Sequence, residues 1–184
     1  DSLPVQTTTS TLPRTHQTTP LVEGITGPTP LTLWKQGESL PSNWDLFLGN
    51  VGGSMAEISA LALLIGFGFL MYKRVVSPII PAGFLGTVFV FSLLTGEDPM
   101  FHLLAGGVML GALFMATDYV TSPTLPIGQL IFGIGCGVIT MAIRLYGNFP
   151  EGVSFAILVM NILTPPINNL ANQIMVRNYE RRGQ

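Results

Sequence analysis

The chain has 184 residues, of which 10% are charged and 48% are hydrophobic, and its formal net charge is −2. The scarcity of charge and the concentration of apolar residues after Ser54 fit a polytopic membrane protein and fit a soluble domain poorly. The small net charge and the lack of a dense basic cluster argue against a nucleic-acid partner.

The N-terminal part of the chain is polar. Residues 1–20 are rich in threonine and proline, so we expect a flexible segment. Residues 21–54 place Trp34 and Trp44 among polar residues and glycines, which suits either the membrane–water interface or a small extramembrane lobe. Because the chain starts at Asp1 without the pattern of a signal peptide, we expect it to be the C-terminal part of a longer protein.

Five apolar segments predict a transmembrane domain over residues 55–176, followed by a basic tail over residues 177–184. The segments cover residues 55–72, 79–94, 100–116, 125–143 and 153–176. Each is close to the lower limit of the ~17–25 residues that span hydrocarbon. Closely spaced glycines such as Gly106, Gly107 and Gly111 let helix backbones approach each other. We therefore predict an all-α polytopic membrane protein with about five transmembrane helices.

The fifth segment carries an interruption. Thr164-Pro165-Pro166 stands in its middle, and several amide side chains follow, beginning with Asn168. This pattern predicts a broken helix. Two interpretations remain open, because such a break suits either a binding site covered by protein or a simple exit of the helix into water.

The distribution of positive charge predicts the orientation. The larger group follows the first and fifth segments and comprises Lys73, Arg74, Arg177, Arg181 and Arg182. The opposite side carries Lys35 and Arg144. By the positive-inside rule the C-terminus is cytoplasmic and the arm before Met55 is periplasmic, in a bacterial inner membrane.

A short polar motif stands in this arm. Glu23 lies three positions before the tetrad Thr26-Gly27-Pro28-Thr29, and Pro30 follows it. The tetrad resembles the Ser/Thr-Gly-Ala-Thr signature at which FMN is joined by a phosphoester bond to the final threonine, with proline here in place of alanine. Pro30 favours an extended Thr29 that a flavin transferase can reach. The same residues also fit a Gly-Pro turn before the first membrane helix.

Four later stretches carry a family resemblance. They are residues 49–59, 115–123, 146–156 and 161–167. In this order they resemble the D subunit of Rnf electron-transport complexes, whose relative is the B subunit of the sodium-pumping NADH:quinone oxidoreductase. The resemblance runs from about residue 22 to residue 168, and the run Asp-Tyr-Val-Thr-Ser-Pro favours the Rnf side.

The resemblance implies a urea-transporter-like fold built from inverted repeats, of which this chain supplies the second half. It implies a complex that couples electron transfer between ferredoxin and NAD to movement of Na⁺ or H⁺. This subunit would carry electrons on FMN at Thr29, with partner subunits that hold flavin and iron–sulfur centres, and the family leaves room for a second, non-covalent flavin. Two alternatives are a B-type quinone-reducing subunit and a non-redox channel for small solutes, since fold does not determine function.

Charged residues near the membrane are the remaining candidates for the cofactor site, and no residue is assigned a catalytic or metal-binding role. Glu57 either stabilises the first turn of its helix or contacts the flavin. Asp118 either caps the turn that follows it or lines a cavity. Arg144 either meets the FMN phosphate or extends to the membrane interface. With the arm residues, the candidate cofactor-binding set is Thr29, Glu23, Thr26, Gly27, Glu57, Arg144 and Asp118.

Three further residues have simpler interpretations. Glu151 is expected to cap the fifth helix, with flavin contact as the alternative. His102 has no visible metal partner in the sequence and is expected at the membrane interface. Cys136 lies in a glycine-rich apolar run, where a small packing residue is favoured over a reactive thiol.

Overall fold

A computed structural model describes residues 29–49, 59–147 and 152–182, with side chains as far as residue 177. These residues form helices and connecting turns, and the prediction of an all-α protein is confirmed for them. In chain order the helices are α1 (Pro30–Gln36), α2 (Asn43–Leu48), α3 (Ala60–Tyr72), α4 (Ile79–Thr95), α5 (Pro99–Leu104), α6 (Val108–Leu110, continued by a π-helical turn, Gly111–Met115), α7 (Pro126–Tyr146), α8 (Val153–Ile162) and α9 (Thr164–Arg182).

Side-chain and glycine caps explain several helix boundaries. Ser42 and Asp98 precede α2 and α5 in extended conformations, and their side-chain oxygens accept from backbone N–H groups of the first turn. Gly37 and Gly96 end α1 and α4 in the left-handed conformation, which glycine adopts without a Cβ penalty. These caps explain where α1 and α4 end and where α2 and α5 begin.

Among the described residues, α7 is the one helix that is long and apolar enough to cross a membrane by itself. Helices α8 and α9 meet at a bend of 59° and together satisfy the same test. Helices α3 and α4 are apolar but shorter, and the predicted start of the first segment lies outside the described residues. The count of five spans therefore stays a prediction, whereas the broken helix near Thr164 is confirmed.

The third predicted segment differs from expectation because it is not one continuous helix. Its first part is α5, and the chain leaves helical geometry at Ala105 and Gly106 before α6 begins at Val108. Gly106 has φ +66°, a conformation that side chains with a Cβ rarely adopt. This interruption separates the α5 end of the protein from the helical core.

The core is formed mainly by α4 packing on α7. A Cβ at Gly133 would lie only 2.6 Å from the carbonyl oxygen of Ile80, so the two backbones are in direct contact. Phe84 and Phe132 are fully buried in the same cluster. Cys136 is also fully buried there, which confirms its interpretation as a packing residue.

A second, smaller cluster joins the arm to α5. It consists of the buried side chains of Leu31, Leu46, Phe101 and Ala105. Trp34 packs against this cluster, whereas Trp44 is 72% exposed. The small-lobe interpretation of the arm therefore holds for Trp34. Through this cluster α1 and α2 form one lobe with α5, and we call it the arm lobe.

Candidate functional site

Thr29 stands at the point where the arm becomes α1. It is the N-cap of that helix, with φ −67° and ψ 153°, so the extended conformation predicted from Pro30 is confirmed. Its Oγ1 lies 2.9 Å from Oγ1 of Thr32 and 3.4 Å from the backbone nitrogen of the same residue. The hydroxyl of Thr29 is therefore held at the helix terminus, in a half-buried position.

Most of the predicted attachment motif lies outside the described residues. This applies to Glu23, Thr26 and Gly27, and also to the helix-cap candidates Glu57 and Glu151. Their roles stay predictions.

The helix that follows Thr29 is anchored by Leu31. This side chain is fully buried and packs in the cluster with Phe101 and Ala105. A Cβ at Gly106 would collide with Cδ1 of Leu31, so the interruption after α5 provides the space that Leu31 fills. Thr29 therefore lies two residues before Leu31, whose buried side chain packs against the end of α5.

Arg144, near the C-terminal end of α7, is fully buried. Its Nη1 donates to the carbonyl oxygen of His102 at 2.7 Å, and its Nη2 donates to that of Ala105 at 2.8 Å. These carbonyl oxygens belong to the C-terminal end of α5, where a helix leaves acceptors unsatisfied. The expectation that Arg144 extends to the membrane interface is therefore wrong, because its guanidinium is used inside the protein. Its contact with a phosphate stays a prediction.

The interfacial expectation for His102 also needs correction, because its side chain is fully buried. Its ring meets Trp34 edge-on, with ring centroids 5.0 Å apart, and Phe101 at 5.4 Å. Neither ring nitrogen of His102 has a hydrogen-bond partner among the described residues. The ring therefore acts as a packing surface that fixes the indole of Trp34.

An open groove of about 580 Å³ lies on this part of the protein, and we call it the arm groove. Its principal lining residues are Trp34, Lys35, Glu97, Arg144, Tyr146 and Gly147. The indole nitrogen of Trp34 donates to Oε2 of Glu97 at 3.3 Å, and Nζ of Lys35 donates to the carbonyl oxygen of Gly147. These two hydrogen bonds connect α1 to the turn after α4 and to the end of α7, and the groove lies between these three elements.

Two of these residues, Glu97 and Tyr146, are not among the candidates predicted from the sequence. Glu97 follows the helix-ending Gly96, and Tyr146 is the last residue of α7 and 83% exposed. A charged residue and an aromatic residue at the ends of two apolar segments were the available signals.

Asp118 lies in a different region, in the turn before α7. Its Oδ2 accepts a hydrogen bond from Oγ1 of Thr121 at 3.2 Å, which supports the interpretation of Asp118 as a turn cap. A cavity of about 320 Å³ lies nearby, and its lining includes the neighbouring residues Thr117 and Tyr119. Asp118 itself is exposed.

The broken helix contacts the same turn. Oγ1 of Thr164 donates to the carbonyl oxygen of Thr121 at 2.9 Å, and Oδ1 of Asn168 accepts from the backbone of Thr124 at 3.4 Å. The polar groups at the break are therefore used to fasten α9 to the turn before α7. The residues in these two pairs are 43 and 44 positions apart in sequence, so the local sequence around the break does not indicate the contacts.

Comparison with known proteins identifies the family. A family model described as the NQR2, RnfD, RnfE family matches residues 2–177. The chain belongs to this family. Membership of the NQR2, RnfD, RnfE family agrees with the apolar helices described above and identifies the chain as a membrane protein.

Three relatives illustrate the similarity. The D subunit of the Na⁺-translocating ferredoxin:NAD⁺ oxidoreductase complex of Acetobacterium woodii is 54% identical over 158 residues, which are 84% of this chain and 50% of that protein. The D subunit of an ion-translocating oxidoreductase complex of Stutzerimonas stutzeri is 48% identical over 67% of this chain and 37% of its own length. The D subunit of the proton-translocating ferredoxin:NAD⁺ oxidoreductase complex of Clostridium ljungdahlii is 42% identical over 70% and 41%. The chain spans half or less of the length of these relatives.

Proposed function

We propose that this chain is part of a membrane subunit of an Rnf-type ferredoxin:NAD⁺ oxidoreductase complex and carries electrons on FMN joined to Thr29. Electron transfer by the complex is coupled to movement of Na⁺ or H⁺, two ions that appear in the names of different relatives. The partners are the other subunits of the complex, with flavin and iron–sulfur centres, and a flavin transferase acts during maturation. The membrane is the bacterial inner membrane, with the arm lobe periplasmic and the C-terminus cytoplasmic.

The position of Thr29 carries this proposal. The last threonine of the attachment motif is extended, half-buried and directly followed by a helix whose Leu31 is anchored in the arm lobe. An extended residue at a helix terminus presents its hydroxyl to an external enzyme more easily than a residue inside a helix does. The described residues therefore fit a covalently tethered FMN.

Each element of the proposed site has a separate task. The hydroxyl oxygen of Thr29 would lose its proton and displace the leaving group on the phosphorus of the flavin donor that the transferase supplies, and α1 would connect the resulting phosphoester to the protein. The bound flavin supplies electron transfer in one- or two-electron steps, while the protein positions it and adjusts its potential through hydrogen bonds and local charge.

The test uses the complex purified from native membranes. Thr29→Val removes the attachment oxygen with little change in volume, and Thr32→Val is the matched control because it removes the neighbouring hydroxyl. We expect flavin fluorescence from the denatured wild-type and Thr32→Val subunits, an FMN mass increment on the peptide that contains Thr29, and neither signal from Thr29→Val. An unmodified Thr29 in an assembled, active wild-type complex would overturn the proposal.

The same purification separates the alternatives. Co-purifying subunits that transfer electrons to NAD⁺ from ferredoxin identify an Rnf-type complex, whereas quinone reduction by NADH identifies the B-type relative. A chain that reaches the membrane without flavin or redox partners favours the solute channel or transporter over both redox functions.

A further inference from the structure

The proposed attachment oxygen and the arm groove lie on the same short helix, α1, with Thr29 as its N-cap and Trp34 and Lys35 near its C-terminal end. Thr29, Thr32 and Lys35 follow one another at intervals of three residues, so each side chain is next to the following one. Lys35 lies about 120° round the helix axis from Thr29, so a tethered group passes partly around α1 to reach it. Thr29 and Thr32 are in contact through their hydroxyl oxygens at 2.9 Å, and Lys35 lines the groove. Six residues of α-helix rise ~9 Å, a distance that the phosphate and extended ribityl chain of FMN span.

The groove suits a flat aromatic ring with polar edges. Its volume, about 580 Å³, lies in the ordinary range for sites that bind cofactors. Trp34 and Tyr146 provide aromatic surface, and aromatic rings stack on such surfaces in offset or edge-on arrangements. Lys35 and Glu97 provide charged groups around it, whereas the guanidinium of Arg144 is buried behind the lining and donates to the carbonyl oxygens of His102 and Ala105.

The indole of Trp34 is held in place before any ligand binds. The indole N–H donates to Oε2 of Glu97 at an N···O distance of 3.3 Å. The ring of His102 meets the indole edge-on with centroids 5.0 Å apart, and the ring of Phe101 has its centroid 6.5 Å away. A side chain fixed on several sides loses little conformational freedom when a ligand contacts it. Trp34 is therefore a preorganised wall of the groove.

We propose that the arm groove receives the isoalloxazine ring of the flavin tethered at Thr29, with Trp34 in contact with the ring and with Lys35 and Glu97 setting its electrostatic environment. This proposal rests on the proposed function. Lys35 stabilises the additional negative charge of the reduced flavin, and Glu97 opposes it.

Two tryptophan variants of the purified complex test the contact. An indole in contact with a photoexcited flavin donates an electron to it and quenches its emission. A tyrosine side chain quenches flavin emission in the same way, so the comparison is made in a Tyr146→Phe background. In that background Trp34→Phe should increase the native emission of this flavin several-fold, whereas Trp44→Phe, which changes an indole that is 72% exposed on α2, should leave it unchanged. The Thr29→Val complex supplies the background from other flavins.

Two charge variants test the electrostatic part. Lys35→Gln should lower the midpoint potential of the Thr29-linked flavin, and Glu97→Gln should raise it, in redox titrations of the assembled complex. Because Lys35 is exposed, its variant leaves the core intact even if Trp34→Phe fails to assemble.

The outcomes distinguish this proposal from the function on which it rests. Covalent flavin on the denatured chain, together with unchanged native emission in Trp34→Phe, overturns the groove assignment and leaves the proposed function standing. Unchanged potentials in both charge variants also overturn the assignment. The absence of covalent flavin from the wild-type chain overturns both.

Discussion

Nη1 of Arg144 donates to the carbonyl oxygen of His102 at 2.7 Å and thereby joins α7 to the end of α5. The second bond, to Ala105, satisfies another carbonyl oxygen of the same helix end. A helix that stops inside a protein needs such donors, because its last carbonyl oxygens have no partner within the helix. One cationic side chain therefore makes it possible for the third predicted segment to break where it does.

Removal of the Arg144 guanidinium is predicted to destabilise the protein. Arg144→Met leaves buried carbonyl oxygens without their donors, at a cost of about 1–3 kcal/mol each. Arg144→Lys should be intermediate, because a single ammonium group does not reproduce the planar pair of donors. The measurement is the apparent melting temperature of the purified complex in detergent. Arg177→Met, at an exposed position on α9, is the control, and equal melting temperatures for Arg177→Met and Arg144→Met would contradict the prediction.

Alanine substitutions at Gly106 and Gly96 test whether the contact between Leu31 and Gly106 stabilises the arm lobe. Both have positive φ, so alanine at either position costs ~1–2 kcal/mol of backbone strain. Only at Gly106 does the new Cβ also meet Leu31 and approach Nη2 of Arg144 to 3.1 Å, which adds about 1–3 kcal/mol of overpacking. Thermal unfolding should therefore show a larger loss for Gly106→Ala than for Gly96→Ala, and equal losses would exclude the Leu31 contact.

The close contact between α4 and α7 predicts that a side chain added at Gly133 destabilises the core. Gly133→Ala places a Cβ against the backbone of Ile80, so we expect a loss of about 1–3 kcal/mol. Gly86→Ala on α4 is the control, because its Cβ would meet nothing within 4 Å. The two variants are compared by the fraction of complex that survives a heat step in detergent, and a Gly133→Ala complex as heat-resistant as the control would show that the helices are not in close contact.

Protonation of Asp98 is predicted to lower the stability of the protein at acid pH. The side-chain amide of Asn43 donates to its carboxylate at 3.0 Å and holds the pKa of Asp98 below its ordinary value, with further help from the backbone N–H of Met100 and against a smaller effect of burial. Because the folded pKa is depressed, this stabilisation is present above the unfolded pKa of ~3.9 and is lost as the pH falls through the lower folded pKa.

The measurement is the apparent melting temperature between neutral pH and pH ~2, a range that extends well below the unfolded pKa. Asp98→Asn retains a good N-cap residue but should lack the acid-dependent component. Asn43→Ala should reduce that component by removing the principal donor. A wild-type acid transition that is identical in Asp98→Asn would show that other groups produce it.

The helical class and one of the two helix breaks were predictable from the sequence. Pro165 and Pro166 indicate the break between α8 and α9 directly, because proline lacks a backbone donor and disturbs the preceding turn. The break after α5 has no such signal. Gly106 lies in an apolar run, and the side chains that leave no room for a Cβ there, Leu31 and Arg144, are distant in sequence.

The sequence indicates Thr29 as a candidate but not the groove near it. Thr29 follows from a local motif, and its extended conformation follows from the adjacent proline. The groove depends on tertiary structure, because Trp34, Glu97 and Tyr146 come from three separate elements. For Arg144, the sequence indicated a charge near the end of an apolar segment but did not identify the carbonyl oxygens that accept its hydrogen bonds.

The burial of Leu31 has a directional consequence. Each residue of an α-helix turns the chain by ~100°, and only Pro30 separates Leu31 from Thr29. An alanine inserted between Pro30 and Leu31 would preserve every residue of the attachment motif and yet aim the hydroxyl of Thr29 at a different part of the surface. In the proposed function the motif specifies which residue receives the flavin, and the burial of Leu31 fixes the direction in which that residue points.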